Sequence, residues 1–401
     1  MKPQVLVIPF LGLAAADGII ELFYNTNFDI GQGFQQFIVS GDDAAHGKCY
    51  SSEIDPKLND NIHSVLITDD LHCVLWANTR PHRHYGSSTS PTHFRRLDPG
   101  RGLQDTEEVR DILVLARSLG TKEIDTAARY PATNMGLSEK LLGEFQAIPQ
   151  GFAVDTKILV LSKDANGTLE PEKIRTSLEN SRKSLQLDSS QKLSILHCHA
   201  PDYTTPIQDQ ASALNELHKQ GLFDKLGVSN WPLDMLNNFL EVCEREGYVK
   251  PTVYQGNYNL IARGHETLMP TLQKHGIRFD AYSPVAGGML SGKLTAGNIE
   301  GTRFAKDNMI GMLSKMQYDK PELHAAVRYL EELLEPAKMT PIEAALRWIC
   351  YHSMLGSDDS IILGASKSRY LTSNEEVIQK GPLPEDIAVG MGKIWDMVSG
   401  N

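Results

Sequence analysis

Residues 123–143, EIDTAARYPATNMGLSEKLLG, contain the pattern that decides how this chain folds. The segment EIDTA is a predicted short strand, and the carboxylate of Asp125 lies at its end, with the phenol of Tyr130 five residues later. The preceding residues, through Leu119, have helical spacing, with Asp105 placed to cap that helix and Glu108 as its capping-box partner. The rest of the chain repeats this unit, which consists of an amphipathic helix and a strand with a polar residue at its end.

Apolar strands and amphipathic helices alternate from this stretch to the carboxyl terminus. Because the strands are near-continuous apolar runs, they indicate a parallel sheet with both faces covered by helices. We count seven strands from Glu123 onward, one fewer than a (β/α)8 barrel has. After the first, the strands are predicted at 152–157, 193–200, 223–230, 252–259, 277–284 and 360–366, and the amphipathic stretches include 105–119, 171–186, 206–220, 232–247 and 321–336.

The positions of polar residues distinguish a closed barrel from an open doubly wound sheet. In a barrel the carboxyl ends of the strands converge on one mouth, where active sites are built. No G-x-G-x-x-G follows an early strand, so the dinucleotide-binding pattern of the open fold is missing. We therefore predict an α/β fold, a (β/α)8 TIM barrel, in which seven strands are identifiable. The residues at or just beyond strand ends are Asp125, Lys157, His199, Ser229, Asn230, Gln255 and Tyr282.

The first hundred residues differ in composition from the rest. Residues 1–16 have one early Lys, an apolar stretch and a small-residue run before Asp17, which predicts a signal peptide; the alternative is a buried first strand. Residues 17–80 alternate apolar and polar residues between Gly, Asn and Asp clusters and predict a small all-β segment. Residues 81–102 are rich in Pro, Gly, Ser and Arg and predict a linker before the barrel at 103–401.

Two groups of side chains in this region admit a functional and a plainer interpretation. Cys49 and Cys73 would form a disulfide in an oxidising compartment and are otherwise ordinary thiols. His82, His84 and His93 suggest a metal site, but no Cys or carboxylate cluster flanks them, so a solvated linker is favoured.

An eight-stranded barrel must close, because an empty position exposes two strand edges and the apolar interior behind them. The strongly apolar runs that precede the linker are Ser64–Thr68 and Cys73–Ala77, and we expect one of them to fill the gap. If neither does, the first hundred residues form a separate module beside an incomplete barrel.

The composition excludes some classes of protein. The chain has 401 residues, with 39 Lys and Arg against 50 Asp and Glu, for a formal net charge of −11. This surplus of acid argues against a general nucleic-acid binder, which needs a basic face. The absence of an apolar run of eighteen residues argues against a transmembrane helix, so we expect no membrane partner.

The stretch Gly287–Lys293 matches the phosphate-binding pattern G-x-x-x-x-G-K, but Leu294 stands where a Ser or Thr would bind magnesium. The P-loop interpretation is therefore disfavoured. A Gly-rich loop after a strand can still contact a pyrophosphate through its backbone N–H groups.

Asp125, Tyr130, Lys157 and His199 form a set that fits proton transfer to a carbonyl oxygen. A phenol is too weak an acid near neutral pH unless its pKa falls, and a neighbouring ammonium lowers it. Asp125 would supply the partner that a buried ammonium needs. Each residue alone has a structural explanation, but four of them on consecutive strands favour catalysis.

The sequence resembles the aldo-keto reductase superfamily, and within it the aflatoxin-aldehyde-reductase-like branch. The phrases that carry the resemblance are EIDTAARYPATNMGLSEKLLG, TKI, LHCHAPD, GVSNW, YQGNYN, AYSPVAGGMLSGK and ILGAS followed by Asn374, spanning about 105–397. The phrases ELFYNTNF and LNDNIHSVLI more loosely resemble a Greek-key motif of the βγ-crystallin type over about 18–80.

The reductase resemblance implies a catalytic tetrad and a site for NADPH/NADP. The tetrad would be Asp125, Tyr130, Lys157 and His199. Lys367 offers the positive charge that a 2′-phosphate requires, which favours NADPH over NADH. The implied cofactor contacts are Ser229, Asn230 and Gln255 at the carboxamide, Tyr282 on the ring, Ser283, Leu290, Gly292 and Lys293 at the pyrophosphate, and Gly364, Ser366, Lys367, Tyr370 and Asn374 around the adenosine 2′-phosphate.

His197 and His199 form a His-x-His pair, for which a metal site is the alternative to packing inside the barrel. Since no carboxylate ligand accompanies the pair, packing is favoured and no metal is expected.

We therefore expect an enzyme that reduces an aldehyde or ketone to an alcohol, with hydride from nicotinamide and a proton from Tyr130. The resemblance is compatible with secondary metabolism and with aldehyde detoxification. The alternatives are a catalytically inert barrel and a secreted protein that binds through residues 18–80. Cofactor use favours the cytoplasm, the amino-terminal pattern favours secretion, and nothing in the sequence indicates an oligomeric state.

Overall fold

The computed structural model describes residues 106–400, except 132–133, 162–163, 306–308 and 366–367, together with five short strands nearer the amino terminus. The first three pair antiparallel in a small sheet of order β2-β1-β3. The five strands are β1 (Gly18–Phe23), β2 (Phe34–Val39), β3 (Ser64–Thr68), β4 (Trp76–Thr79) and β5 (Arg96–Leu97).

Seven further strands pair in parallel and form the wall of a barrel. Most of their side chains are buried, because one face of each strand points into the barrel and the other is covered by helices. These strands are β6 (Glu123–Asp125), β7 (Ala153–Lys157), β8 (Leu193–Cys198), β9 (Phe223–Ser229), β10 (Pro251–Asn257), β11 (Arg278–Tyr282) and β12 (Ser360–Ala365).

Helices connect the strands and surround the barrel. Proline is the first residue of three of them, where its missing N–H would have had no partner within the helix. The helices are α1 (Thr106–Ser118), α2 (Leu137–Glu144), α3 (Pro171–Ser184), α4 (Ile207–Lys219), α5 (Leu233–Glu246), α6 (Met269–Lys274), α7 (Met309–Tyr318), α8 (Pro321–Leu334), α9 (Pro341–Tyr351), α10 (Ser368–Gln379), α11 (Glu385–Gly392) and α12 (Ile394–Val398).

Strand β4 lies between the first and last parallel strands and runs antiparallel to both. Ala77 is paired with Ile124 of β6 on one side and with Leu363 of β12 on the other. Strand β5 pairs in parallel with the end of β12. Of the two runs that sequence analysis offered for this position, the structure uses residues that overlap the second, while Ser64–Thr68 pairs with β1 in the small sheet.

The structure confirms the predicted α/β barrel and its seven parallel strands after residue 122. The core lies between the strands and the helices, with large side chains such as those of Trp231, Phe239 and Phe279 fully buried. None of the helices that the structure describes is long and apolar enough to cross a membrane.

Several predictions fall outside the described residues. These are the signal peptide at 1–16, most of the linker at 81–102, the helix cap at Asp105, the thiols of Cys49 and Cys73, and the His82, His84 and His93 group.

Candidate active site

A buried ion pair occupies the mouth of the barrel. The Lys157 ammonium donates to Asp125 Oδ2 at 2.5 Å and to the carbonyl oxygen of Thr126 at 2.8 Å. The Gln255 side-chain amide donates to Asp125 Oδ1 at 2.9 Å, so both carboxylate oxygens accept hydrogen bonds. Burial raises the pKa of Asp125, and Lys157 and Gln255 act in the opposite direction. The pair therefore holds a fully buried ammonium in a fixed position.

Tyr130 lies beside this ammonium, on the loop that follows β6. The Lys157 Nζ atom is 5.2 Å from the centre of the Tyr130 ring. The ring of His199, just after β8, stands edge-on to Tyr130 with centroids 5.6 Å apart. Tyr130 and Tyr282 both pack against Ile362 of β12. The structure thus brings together all four residues of the predicted tetrad.

The two histidines of β8 and its loop are held as neutral rings. Burial, helped by the charges of Lys157 and Arg129, brings the pKa of His199 well below its usual value. Burial and the same lysine do so for His197, whose ring is fully buried against Gly227. A Cβ atom at residue 227 would lie 2.2 Å from His197 Nδ1, so glycine is required there. A neutral His199 can hydrogen-bond to a carbonyl oxygen without adding a second cation beside Lys157.

A charged cluster that was not predicted from the sequence lies deeper in the barrel. Arg278 donates to Glu123 at 3.0 Å and to Asp280 at 2.9 Å. Burial opposes ionisation of Glu123, but the charge of Arg278 and hydrogen bonds with Asp155 and Arg278 together lower the pKa of that carboxyl. Burial and the Glu123 charge raise the pKa of Asp155 well above its usual range. The signal was present in the sequence, because Glu123, Asp155 and Asp280 each stand two residues from a polar residue at the mouth.

A second polar group lies at the ends of β9 and β11. The Asn230 amide donates to Ser229 Oγ at 3.0 Å, and the Tyr282 hydroxyl donates to Asn230 Oδ1 at 3.2 Å. Asn230 and Ser283 both have positive φ, at 56°, so the chain turns sharply after each strand. The residues predicted to contact a nicotinamide carboxamide and ring are therefore adjacent to one another, while Gln255 bonds to Asp125.

The Gly-rich loop after β11 forms a tight turn. Gly287, Gly288 and Gly292 have positive φ of 63°, 103° and 75°, which other residues rarely adopt. Leu290 is fully buried in this loop. The Lys293 N–H bonds to Ser291 Oγ at 3.4 Å within the loop.

The end of β12 and the start of α10 carry the last predicted contacts. Gly364 is exposed at the end of β12, Asn374 is half-buried on α10, and Tyr370 is exposed near the start of that helix. Arg369, which sequence analysis did not select, donates to the Tyr370 hydroxyl at 3.3 Å and stacks 5.0 Å from its ring centre. Ser366 and Lys367 lie outside the described residues.

Comparison with known proteins agrees with this geometry. The sequence profile of the Aldo/keto reductase family matches residues 96–392. The chain belongs to the aldo/keto reductase family. This membership makes the protein an NAD(P)-dependent oxidoreductase that acts on small-molecule carbonyl compounds.

Three relatives cover most of the reductase. An aldo-keto reductase of Pseudocercospora fijiensis is 34% identical over 289 residues, which is 70% of this chain and 95% of the relative. The oxidoreductase sirO of Leptosphaeria maculans is 33% identical over 74% of this chain and 88% of its own length. Aflatoxin B1 aldehyde reductase member 2 of Mus musculus is 33% identical over 80% of this chain and 90% of its own length. The loose likeness of residues 18–80 to βγ-crystallins stays a prediction.

Proposed function

We propose that this reductase converts an aldehyde or ketone to the alcohol with NADPH, and that Tyr130 donates the proton. The observation that carries the proposal is the position of the Lys157 ammonium, 5.2 Å from the Tyr130 ring and bonded to Asp125. Relatives named aflatoxin B1 aldehyde reductase support an aldehyde as substrate. Use of NADPH favours action in the cytoplasm, and the family resemblance is compatible with secondary metabolism or with aldehyde detoxification.

Each residue of the tetrad has a distinct part. A positive charge next to a phenol favours the phenolate, so Lys157 makes Tyr130 a stronger acid. Asp125 balances the buried charge and, with the carbonyl of Thr126, holds the ammonium on the phenol side. The neutral ring of His199 orients the carbonyl oxygen next to the Tyr130 hydroxyl. The proton then passes from the phenol to the oxygen as the alcohol forms.

The residues present fit a nicotinamide dinucleotide phosphate. Ser229 and Asn230 offer a hydroxyl and an amide near Tyr282, and such groups can hydrogen-bond to a carboxamide. The Gly-rich loop allows close approach of a pyrophosphate. Among the described residues no carboxylate pairs with Arg369, so its guanidinium can take a phosphate, with Lys367 nearby in sequence. When bound, NADPH supplies the hydride for the carbonyl carbon.

The test is the variant Tyr130→Phe, assayed with 4-nitrobenzaldehyde. General acid catalysis is worth roughly two to four orders of magnitude in rate, so kcat should fall by about that factor. NADPH affinity, measured by quenching of Trp fluorescence, should change little because the lost hydroxyl faces the substrate. Tyr248→Phe, a half-buried tyrosine between α5 and β10 at the end of the barrel opposite the mouth, is the matched control and should turn over as the wild type. Wild-type turnover by Tyr130→Phe would refute the assignment.

A further inference from the structure

Arg129 immediately precedes Tyr130 and is half-buried on the loop after β6. One of its terminal nitrogens donates to the carbonyl oxygen of Val160 at 3.0 Å, which holds the guanidinium against the loop that follows β7. Across the described part of the chain, no carboxylate lies within ion-pair distance of this guanidinium. A charged group at the mouth is therefore fixed in place without a counter-ion.

The guanidinium has more hydrogen-bonding capacity than Val160 uses. Arginine carries five N–H donors in a planar fork that matches the two oxygens of a carboxylate. One donor is satisfied by the Val160 carbonyl, which leaves an edge for bidentate binding. The Arg129 charge also acts on His199. Burial is the largest cause of the lowered His199 pKa, the charge of Lys157 is the second, and the charge of Arg129 adds to both.

The loops that follow the neighbouring strands β6, β7 and β8 carry an apolar rim at the mouth of the barrel. Met135 on the loop after β6, Leu161 after β7 and Tyr203 after β8 are 44%, 54% and 56% exposed. Exposed large apolar side chains on adjacent loops at one end of a barrel are typical of a binding surface. A ligand that suits this rim has an apolar body and one anionic end. The net charge of −11 gives anions no general attraction, so a local cation has to provide it.

We propose that Arg129 is a substrate-binding residue that takes the carboxylate of an oxo acid, an aldehyde or ketone with an apolar body and a carboxylate group. A carboxylate fits better than a phosphate, because one guanidinium balances one negative charge and its planar fork matches two coplanar oxygens. The carbonyl group of this substrate follows from the proposed reductase function, on which the inference rests, and the carboxylate follows from the charge of Arg129, which is unpaired among the described residues.

The experiment compares 4-carboxybenzaldehyde with its methyl ester, which has the same reacting group and no charge. A charge-assisted hydrogen bond corresponds to about one to two decades in affinity. Arg129→Gln should therefore lower kcat/KM for the acid roughly 10- to 100-fold and leave that for the ester within about twofold. Arg129→Lys should recover part of the loss. Arg175→Gln, on the outer face of α3, is the control and should change neither.

A binding measurement separates this inference from the proposed function. Calorimetry with 4-(hydroxymethyl)benzoate and its methyl ester needs no turnover, and Arg129→Gln should weaken only the acid, by the same factor. Equal losses for acid and ester would show that Arg129 acts through the Val160 loop and would overturn the proposal. Absence of turnover in the wild type, with this selective loss of affinity intact, would instead overturn the reductase function alone.

Discussion

Lys157 is the most constrained side chain of the site, because a fully buried ammonium requires a counter-charge. Asp125 supplies it at 2.5 Å, and Gln255 and Thr126 satisfy the remaining polar groups of the pair. Buried pairs of this kind add little stability compared with apolar residues, but removal of one partner leaves the other uncompensated. The pair therefore serves to fix a charge next to Tyr130 rather than to stabilise the barrel.

Asp125→Asn should destabilise the protein by about 3–5 kcal/mol, because Lys157 would lose its counter-ion in a buried site. The double variant Asp125→Asn with Lys157→Met removes both charges and should recover at least half of that loss. Urea unfolding of the two variants and of Lys157→Met alone provides a double-mutant cycle. Additive losses would show that the two charges do not interact.

Glu139 on α2 predicts a pH dependence of stability. Its side chain is buried and accepts a hydrogen bond from Thr156 Oγ1 at 2.5 Å, and burial raises its pKa from 4.5 to about 7. Between these values the folded protein holds a proton that the unfolded chain releases, so this contribution to stability is full below about pH 4.5 and is lost as pH rises to about 7. The loss amounts to about 3 kcal/mol at 1.36 kcal/mol per pKa unit.

Glu139→Gln should lack this component, because its amide oxygen still accepts the Thr156 hydroxyl and does not ionise. Urea unfolding of both proteins across pH 4.5–8 should give a difference that grows with pH in favour of the variant. Parallel curves would place the Glu139 pKa near its ordinary value.

The tetrad could be predicted from sequence because parallel strands direct their carboxyl ends to one mouth, whatever the exact barrel geometry. The bond from Gln255 to Asp125 could not, since 130 residues separate them and barrel closure decides the contact. The contacts of Arg278 with Glu123 and Asp280 could not be predicted for a related reason. Alternation shows which residues face inward, but not which inward residues meet.

Individual elements follow their local sequence closely. Strands predicted at 193–200 and 223–230 end two and one residues earlier, at Cys198 and Ser229, because the chain turns where its polar groups begin. The local sequence does not indicate that β4 runs antiparallel to its neighbours. Its pairing is set by the open edges of β6 and β12, and strand preference depends strongly on such context.

Ala77→Pro tests whether β4 completes the barrel. Proline removes the backbone N–H of a residue paired on both sides, with Ile124 and with Leu363. A ladder partner left without its hydrogen bond costs about 1–3 kcal/mol, so thermal unfolding of the full chain should shift downward and NADPH binding should weaken. Gln36→Pro, in the small sheet, is the control and should spare the barrel. Equal stability of Ala77→Pro and wild type would show that the barrel does not depend on β4.

At the scale of the whole molecule, a net charge of −11 opposes the approach of a polyanionic cofactor. Affinity for the proposed cofactor, NADPH, must then come from cations placed against its phosphates. Lys293 after β11 and Arg369 on α10 belong to the two loop regions expected to hold them, on strands next to each other in the barrel. The 2′-phosphate distinguishes NADPH from NADH, so its partners determine the preference between them.

A ligand that binds only the folded state raises the unfolding temperature, and at 100 times its dissociation constant it adds about 2.7 kcal/mol of stability. NADPH should therefore raise the unfolding temperature more than NADH at equal concentration. Lys367→Glu should remove most of this difference. If Lys367 contacts the 2′-phosphate, as the sequence predicts, the new negative charge should weaken NADPH binding by about one to two decades while NADH binding changes little. Lys219→Glu, an exposed lysine at the end of α4, makes the same change in net charge away from the mouth and should keep the preference. If both variants lose NADPH affinity equally, the preference for NADPH over NADH comes from the electrostatic field of the whole protein rather than from a contact with Lys367.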